Sequence, residues 1–111
     1  NILLDKNGGP NHVGNFCFAP IHADLTTDEL IYTPSYYYLG HFSKFIQPGA
    51  KRISTTTSHS YLLSTSWLNE DGKMATIVMN STDEPVEYSL YVDDKESLLT
   101  INAHAIQTLI F

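Results

Sequence analysis

The apolar positions of this chain follow two different rhythms, and the change comes at Pro48-Gly49. Before it, Tyr38, Leu39, Phe42, Phe45 and Ile46 recur at three- and four-residue intervals, which places them on one face of a helix. This spacing predicts a helix over Thr33–Ile46. Thr33 can cap its first turn, Pro34 stands where a missing N–H costs nothing, and Pro48-Gly49 stops it. Gly40, inside the helix, costs about 1 kcal/mol relative to Ala, which predicts a close packing contact there. After Pro48-Gly49 the period falls to two. Val86, Tyr88, Leu90 and Val92 alternate with Glu87, Ser89, Tyr91 and Asp93.

The rest of this half reads as short strands between turn signals. Arg52–Ser58 is Thr-rich and β-prone. Tyr61–Leu68 and Lys73–Asn80 flank Asn69-Glu70-Asp71-Gly72, a hairpin turn ending in glycine. Ser81–Pro85 and Asp93-Asp94-Lys95 are further turns, and Leu98–Ile101 and Ala105–Phe111 complete six strands. The predicted class is mainly β: an antiparallel β-sandwich of Greek-key type, preceded by one helix.

Ahead of the helix, Ile2-Leu3-Leu4 looks like the end of a strand, and Asp5–Asn11 is a run of turn residues with no periodicity. Its Gly8-Gly9-Pro10 suits either a plain surface turn or a loop approaching a ligand. Val13–Ile21 is mostly apolar and is expected to be buried. Asn15 within it then needs hydrogen-bond partners, from backbone groups or from a polar ligand. Cys17 reads as an inert core thiol. Asp24–Glu29 is a polar turn leading into the helix. Of Tyr36, Tyr37 and Tyr38, two are expected to pack inward; the alternative is a sugar-stacking platform.

Composition narrows the function. The chain has 111 residues, a formal net charge of -6 and only six Lys and Arg, so nucleic acid and anionic membrane are poor partners. One cysteine excludes an internal disulfide framework. The twelve carboxylates fall in turns or on wet strand faces, with no pair placed for acid–base work. His12, His22, His41, His59 and His104 show no ligand spacing, so neither a metal nor another cofactor is expected. Asn80-Ser81-Thr82 is formally a glycosylation sequon. The opening Asn1-Ile-Leu-Leu reads as the tail of a strand already under way, so the chain is expected to be part of something larger.

Two motifs carry a family resemblance. Gly8-Gly9-Pro10-Asn11 followed by Val13-Gly14-Asn15-Phe16, and Leu39-Gly40-His41-Phe42-Ser43-Lys44-Phe45-Ile46 with its Pro48-Gly49 exit, resemble glycoside hydrolase family 30. The likeness is to the C-terminal part of its glucosylceramidase-like enzymes. It implies the last strand, loop and helix of a (β/α)8 barrel over residues 1–47 and a β-sandwich domain over 48–111. The parent would be a retaining β-glycosidase acting on β-glucosides or glycolipids. Its acid/base and nucleophile glutamates would lie on earlier barrel strands, so no catalytic residue is expected in this chain. Carried over by position, Asn15 would line the sugar pocket and Asn11 and His12 would form its rim. His12 stands where the lysosomal relative has Trp, and Phe18 where many relatives have Asp. Relatives are secreted, lysosomal or bacterial, which leaves the compartment open. With the rest of the barrel missing, exposed strand edges and the helix face predict self-association. A second reading is a non-catalytic carbohydrate-binding or structural sandwich, with Tyr61, Trp67 and Tyr91 as stacking residues.

Overall fold

The computed structural model describes residues 1–111, which divide into two compact units, Asn1–Gly40 and His41–Phe111. The first unit holds a three-stranded sheet of β1 (Leu3–Asp5), β2 (Ile21–Asp24) and β3 (Glu29–Tyr32). β1 and β2 are parallel, so a long connection must join them, and residues 6–20 supply it. β2 and β3 form an antiparallel hairpin where the sequence suggested only a turn. Its reversal is helped by Asp28, whose φ of 58° lies in the left-handed region that Asp tolerates better than most residues.

Helix α1 runs over Pro34–Phe45, one residue shorter at each end than its sequence pattern. Thr33 is buried, and both its N–H and its hydroxyl donate to the carbonyl of Pro20 at 2.9 Å, which pins the helix start to the chain before β2. Two expectations for the helix fail. A Cβ at Gly40 would meet nothing within 4 Å, so no close contact demands glycine. Tyr36 and Tyr37 are exposed and only Tyr38 is half-buried. Tyr36 makes edge-on ring contacts with Tyr32 at 4.8 Å and Tyr37 at 5.3 Å.

The second unit is a two-layer β structure. One sheet has the order β4 (Lys51–Ile53), β5 (Leu62–Leu68), β6 (Met74–Asn80), β9 (Ile106–Ile110), all antiparallel. The other is the hairpin β7 (Val86–Val92) and β8 (Lys95–Ile101). β6 is central, and five of its residues, Ala75, Thr76, Ile77, Val78 and Asn80, are buried. That explains its near-continuous apolar run, since a strand covered on both faces has no wet side to alternate with. Ser66 and Thr76 oppose each other across β5 and β6, and their hydroxyls bond at 2.8 Å, so neither polar atom is left unpaired inside.

Leu62 and Val78 from one sheet and Ile101 from the other form the core, with Val86, Tyr88 and Ala105 packed around them. The β-rich segment 52–58 is mostly not strand: only Ile53 and the two residues before it pair, and Ser54–Ser58 run on without a ladder. β8 begins at Lys95, three residues earlier than its apolar pattern suggested. The tight Asp93-Asp94 turn brings Lys95 opposite Val92 whatever its polarity.

Asn69 joins this unit's share of α1 to the β5–β6 turn. Its side-chain amide donates to the Phe45 carbonyl at 3.0 Å, and its carbonyl accepts the Gln47 N–H at 3.0 Å. The first bond satisfies a carbonyl that the helix end leaves orphaned, and the second ties down the chain just beyond it. The chain leaves the helix through Gly49, whose φ of 87° suits glycine and where a Cβ would collide with the Glu70 carboxylate.

Candidate functional site

The connection between β1 and β2 folds back on itself. The Cys17 N–H donates to the Gly9 carbonyl at 2.9 Å, and these two residues form an isolated bridge. The segment between them is thereby closed, with the 3-10 turn Asn11–Val13 at its centre and Gly14, φ 66°, ending that turn. Closure requires glycine at position 8. Its φ is 80°, and a Cβ there would fall 2.6 Å from the Phe16 ring and 2.9 Å from the Cys17 carbonyl. The Gly-rich motif is therefore a steric requirement of the fold-back.

Asn11, His12 and Asn15 all lie in this closed segment, and all three are exposed. The burial expected for Val13–Ile21 is met only at its end: Ala19 is buried and Pro20 and Ile21 are half-buried, while residues 13–18 are exposed. Phe16 and Phe18 are each 69% exposed, and Cys17 is exposed. Asn15 accordingly does not need the internal partners that a buried amide would demand. Cys17 is not the core thiol that its apolar neighbours suggested. An apolar run of this length is ambiguous until something covers it, and in this chain Phe16 lies against Gly8 and Phe18 against His22 while both rings stay mostly exposed.

The residue that organises the loop is one the sequence left among the turn carboxylates. Asp5 ends β1, and its Oδ1 accepts the Asn7 N–H at 2.8 Å. Its Oδ2 accepts the Asn11 side-chain amide at 2.5 Å. Its backbone carbonyl accepts the Gly8 N–H at 3.0 Å and a bond from His22 Nδ1 at 3.0 Å. A carbonyl can only accept, so His22 carries its proton on Nδ1. The other ring nitrogen, Nε2, is buried with no partner, and the ring lies 4.4 Å from that of Phe18. The available signal was the spacing Asp5-x-Asn7, which suits an Asx turn in which the acid caps its own loop.

Lys6 begins the loop. Its N–H bonds the Ala23 carbonyl at 3.0 Å, and its ammonium lies 2.9 Å from Asp24. The hydrogen bond from Lys6, aided by the Thr26 N–H, holds the Asp24 carboxyl below the usual carboxylate range.

A second concavity lies within the His41–Phe111 unit. It is a cleft of 490 Å³ whose lining includes Tyr61, Ser64, Thr76, Tyr88 and Tyr91. Tyr61 stacks on His59, with ring centroids 4.9 Å apart and planes 8° from parallel. Trp67 does not line this cleft. It is half-buried on β5, and its indole N–H is buried without a partner.

Comparison with known proteins decides the family. Residues 49–109 match the glycosyl hydrolase family 30 beta sandwich domain, and residues 1–46 match the glycosyl hydrolase family 30 TIM-barrel domain. The chain belongs to glycosyl hydrolase family 30. Within this family it is 38% identical over 103 residues to the lysosomal acid glucosylceramidase of Mus musculus. That match covers 92% of this chain and 20% of the relative, so the chain spans about a fifth of that relative's length. Among solved structures, SrfJ from Salmonella typhimurium superposes over 100% of the chain and 25% of its own, with a TM-score of 0.95 and 34% identity. An endo-beta1,6-glucanase covers 97% of the chain at a TM-score of 0.85 and 22% identity, a likeness of fold alone. The family 30 assignment accords with a mainly β chain that contains one helix.

Proposed function

We propose that this chain is the C-terminal part of a retaining β-glycosidase of the glucosylceramidase type. Its enzyme would hydrolyse β-glucosides such as glucosylceramide. The observation that carries the reading is the order of the two family 30 matches, barrel before sandwich, together with the 38% identity to a glucosylceramidase across most of the chain. On this reading residues 1–47 close the barrel and 48–111 contribute to the sandwich. The loop after β1 then stands at the C-terminal end of a barrel strand, the end where barrel active sites are built. Asn15 would line the sugar pocket, with Asn11 and His12 at its rim. The closed Gly9–Cys17 loop holds all three exposed and able to meet a ligand.

The acid/base and nucleophile carboxylates would come from outside this chain, since a retaining mechanism needs two of them across the scissile bond, about 5 Å apart. The isolated 111-residue chain is therefore catalytically silent. Hydrolysis of a fluorogenic aryl β-glucoside tests this directly. The expected result is turnover by the longer enzyme and none by the isolated chain. Turnover by the isolated chain that survives repurification would overturn the placement of the catalytic pair.

One observation favours a second reading, a carbohydrate-binding sandwich: Tyr61 and Tyr91 line the same cleft. Titrating glucose oligosaccharides while following tyrosine and tryptophan fluorescence separates the two. A response abolished by Tyr61→Ala would support the binding module.

A further inference from the structure

We propose that Asp5 is a positioning residue for substrate recognition, acting through Asn11 to turn a carbonyl oxygen toward the sugar. The inference rests on the reading of Asn11 as part of the pocket rim. The orientation follows from chemistry. An ionised carboxylate is only an acceptor, so the group that Asn11 presents to Asp5 Oδ2, 2.5 Å away, must be its NH₂. That bond fixes the amide, and Oδ1, on an exposed side chain, is left as its remaining acceptor for a sugar hydroxyl.

The same carboxylate secures the loop on which Asn11 is carried. Oδ1 holds the Asn7 N–H, and the Asp5 carbonyl holds the Gly8 N–H and His22 Nδ1. His22 is buried, which anchors Asp5 from the β2 side and leaves its carboxylate free to face the loop. Asp5 thus couples the end of β1 to the central turn of the loop. A pre-oriented acceptor binds a hydroxyl without first losing rotamer freedom, so the effect belongs to binding and not to the chemical step.

The test uses the full enzyme carrying this chain, with an aryl β-glucoside as substrate. Three variants are compared: Asp5→Ser, Asn11→Ala and the double variant. Serine can still accept the Asn7 N–H, as Ser does in turns of this kind, but it is too short to hold the Asn11 amide. Asp5→Ser is expected to raise KM about fivefold with kcat within about twofold, the scale of one oriented hydrogen bond. In the Asn11→Ala background the same change should have no further effect, because the residue through which Asp5 acts is gone. Additive effects, or an unchanged KM in Asp5→Ser, would overturn the positioning role while leaving Asn11 in the rim. An unchanged KM in Asn11→Ala would overturn the rim assignment itself, and this inference with it. Should Asp5→Ser fail to fold, Asp5→Asn carries the same test. It keeps the shape but can accept only one of the two bonds, and with its oxygen kept on the Asn7 N–H the Asn11 amide loses its partner or flips.

Discussion

Asn80 has no exposed surface, and its amide uses its whole hydrogen-bonding capacity. Its NH₂ donates to the carbonyls of Glu84, at 2.7 Å, and Asn102, at 3.0 Å. Its oxygen accepts from the N–H and the hydroxyl of Thr82, at 2.9 and 2.8 Å. The sequon Asn80-Ser81-Thr82 is thus a turn-building device in which the hydroxyl that would serve glycosylation serves the turn instead. Two outcomes follow. Expression through a eukaryotic secretory route should leave Asn80 without a glycan, as read by intact mass before and after glycosidase treatment. Asn80→Ala should destabilise the His41–Phe111 unit by about 2–3 kcal/mol in denaturant unfolding, since it removes four hydrogen bonds made by a fully buried amide. Asn15 is the instructive contrast. Both asparagines sit beside apolar residues in the sequence, yet Asn15 is exposed. What separates them is the return of chain at residues 102–105 beside Asn80, a long-range event that no local pattern announces. Asp5 was hidden for the same reason. An acid in a turn is usually solvated, and only the fold-back brings Asn11 to it.

Strands whose patterns are set by a two-layer core were legible: β5, β6 and β7 agree with their sequence spans to within a residue. The β2–β3 hairpin was not, because its four-residue strands give too few positions for alternation to register, and every residue of β3 is exposed. Between the two sheets of the sandwich, Gln107 on β9 donates a short hydrogen bond to the Tyr88 hydroxyl on β7. Burial pushes the Tyr88 phenol up from its ordinary value of 10.0, and the bond from Gln107 offsets part of that rise. The folded state therefore holds this proton more tightly than the unfolded chain does. The associated stability is fully present below pH 10 and is lost as pH rises through the folded-state value. Tyr88→Phe should flatten the alkaline limb of the stability profile, measured by thermal unfolding between pH 8 and about 11. At neutral pH it should cost about 1 kcal/mol, because Gln107 loses its partner. An alkaline limb unchanged in this variant would assign the effect to other groups. Asn69→Ala tests the helix exit in the same way. An expected loss of about 1–3 kcal/mol reflects the Phe45 carbonyl and the Gln47 N–H left unpaired.

At the scale of the whole molecule, apolar surface decides how the isolated chain behaves. In the first unit Phe16 and Phe18 are each 69% exposed and Leu25 80%, and in the second unit Leu98 is 73% exposed. Single exposed apolar residues are ordinary, but Phe16 and Phe18 sit on one short loop beside a sheet whose third strand is wholly exposed. β7 and β8 form a sheet of only two strands, so each has an edge without a ladder partner. Both features favour association of the isolated chain, opposed by a net charge of -6. The balance gives the prediction a sign in salt. At low ionic strength, charge repulsion acts over tens of ångströms and holds copies apart. At 0.15 M the screening length falls to about 8 Å, and short-range apolar and edge contacts prevail. Sedimentation velocity across a concentration series should therefore show a dimer or larger species that grows with both protein and salt. On the function proposed above, a longer protein in which barrel and sandwich surfaces are covered by their own chain should lose that dependence. A monomeric profile for the isolated chain at every concentration and salt would mean that these apolar residues and edges are too dispersed to form a contact.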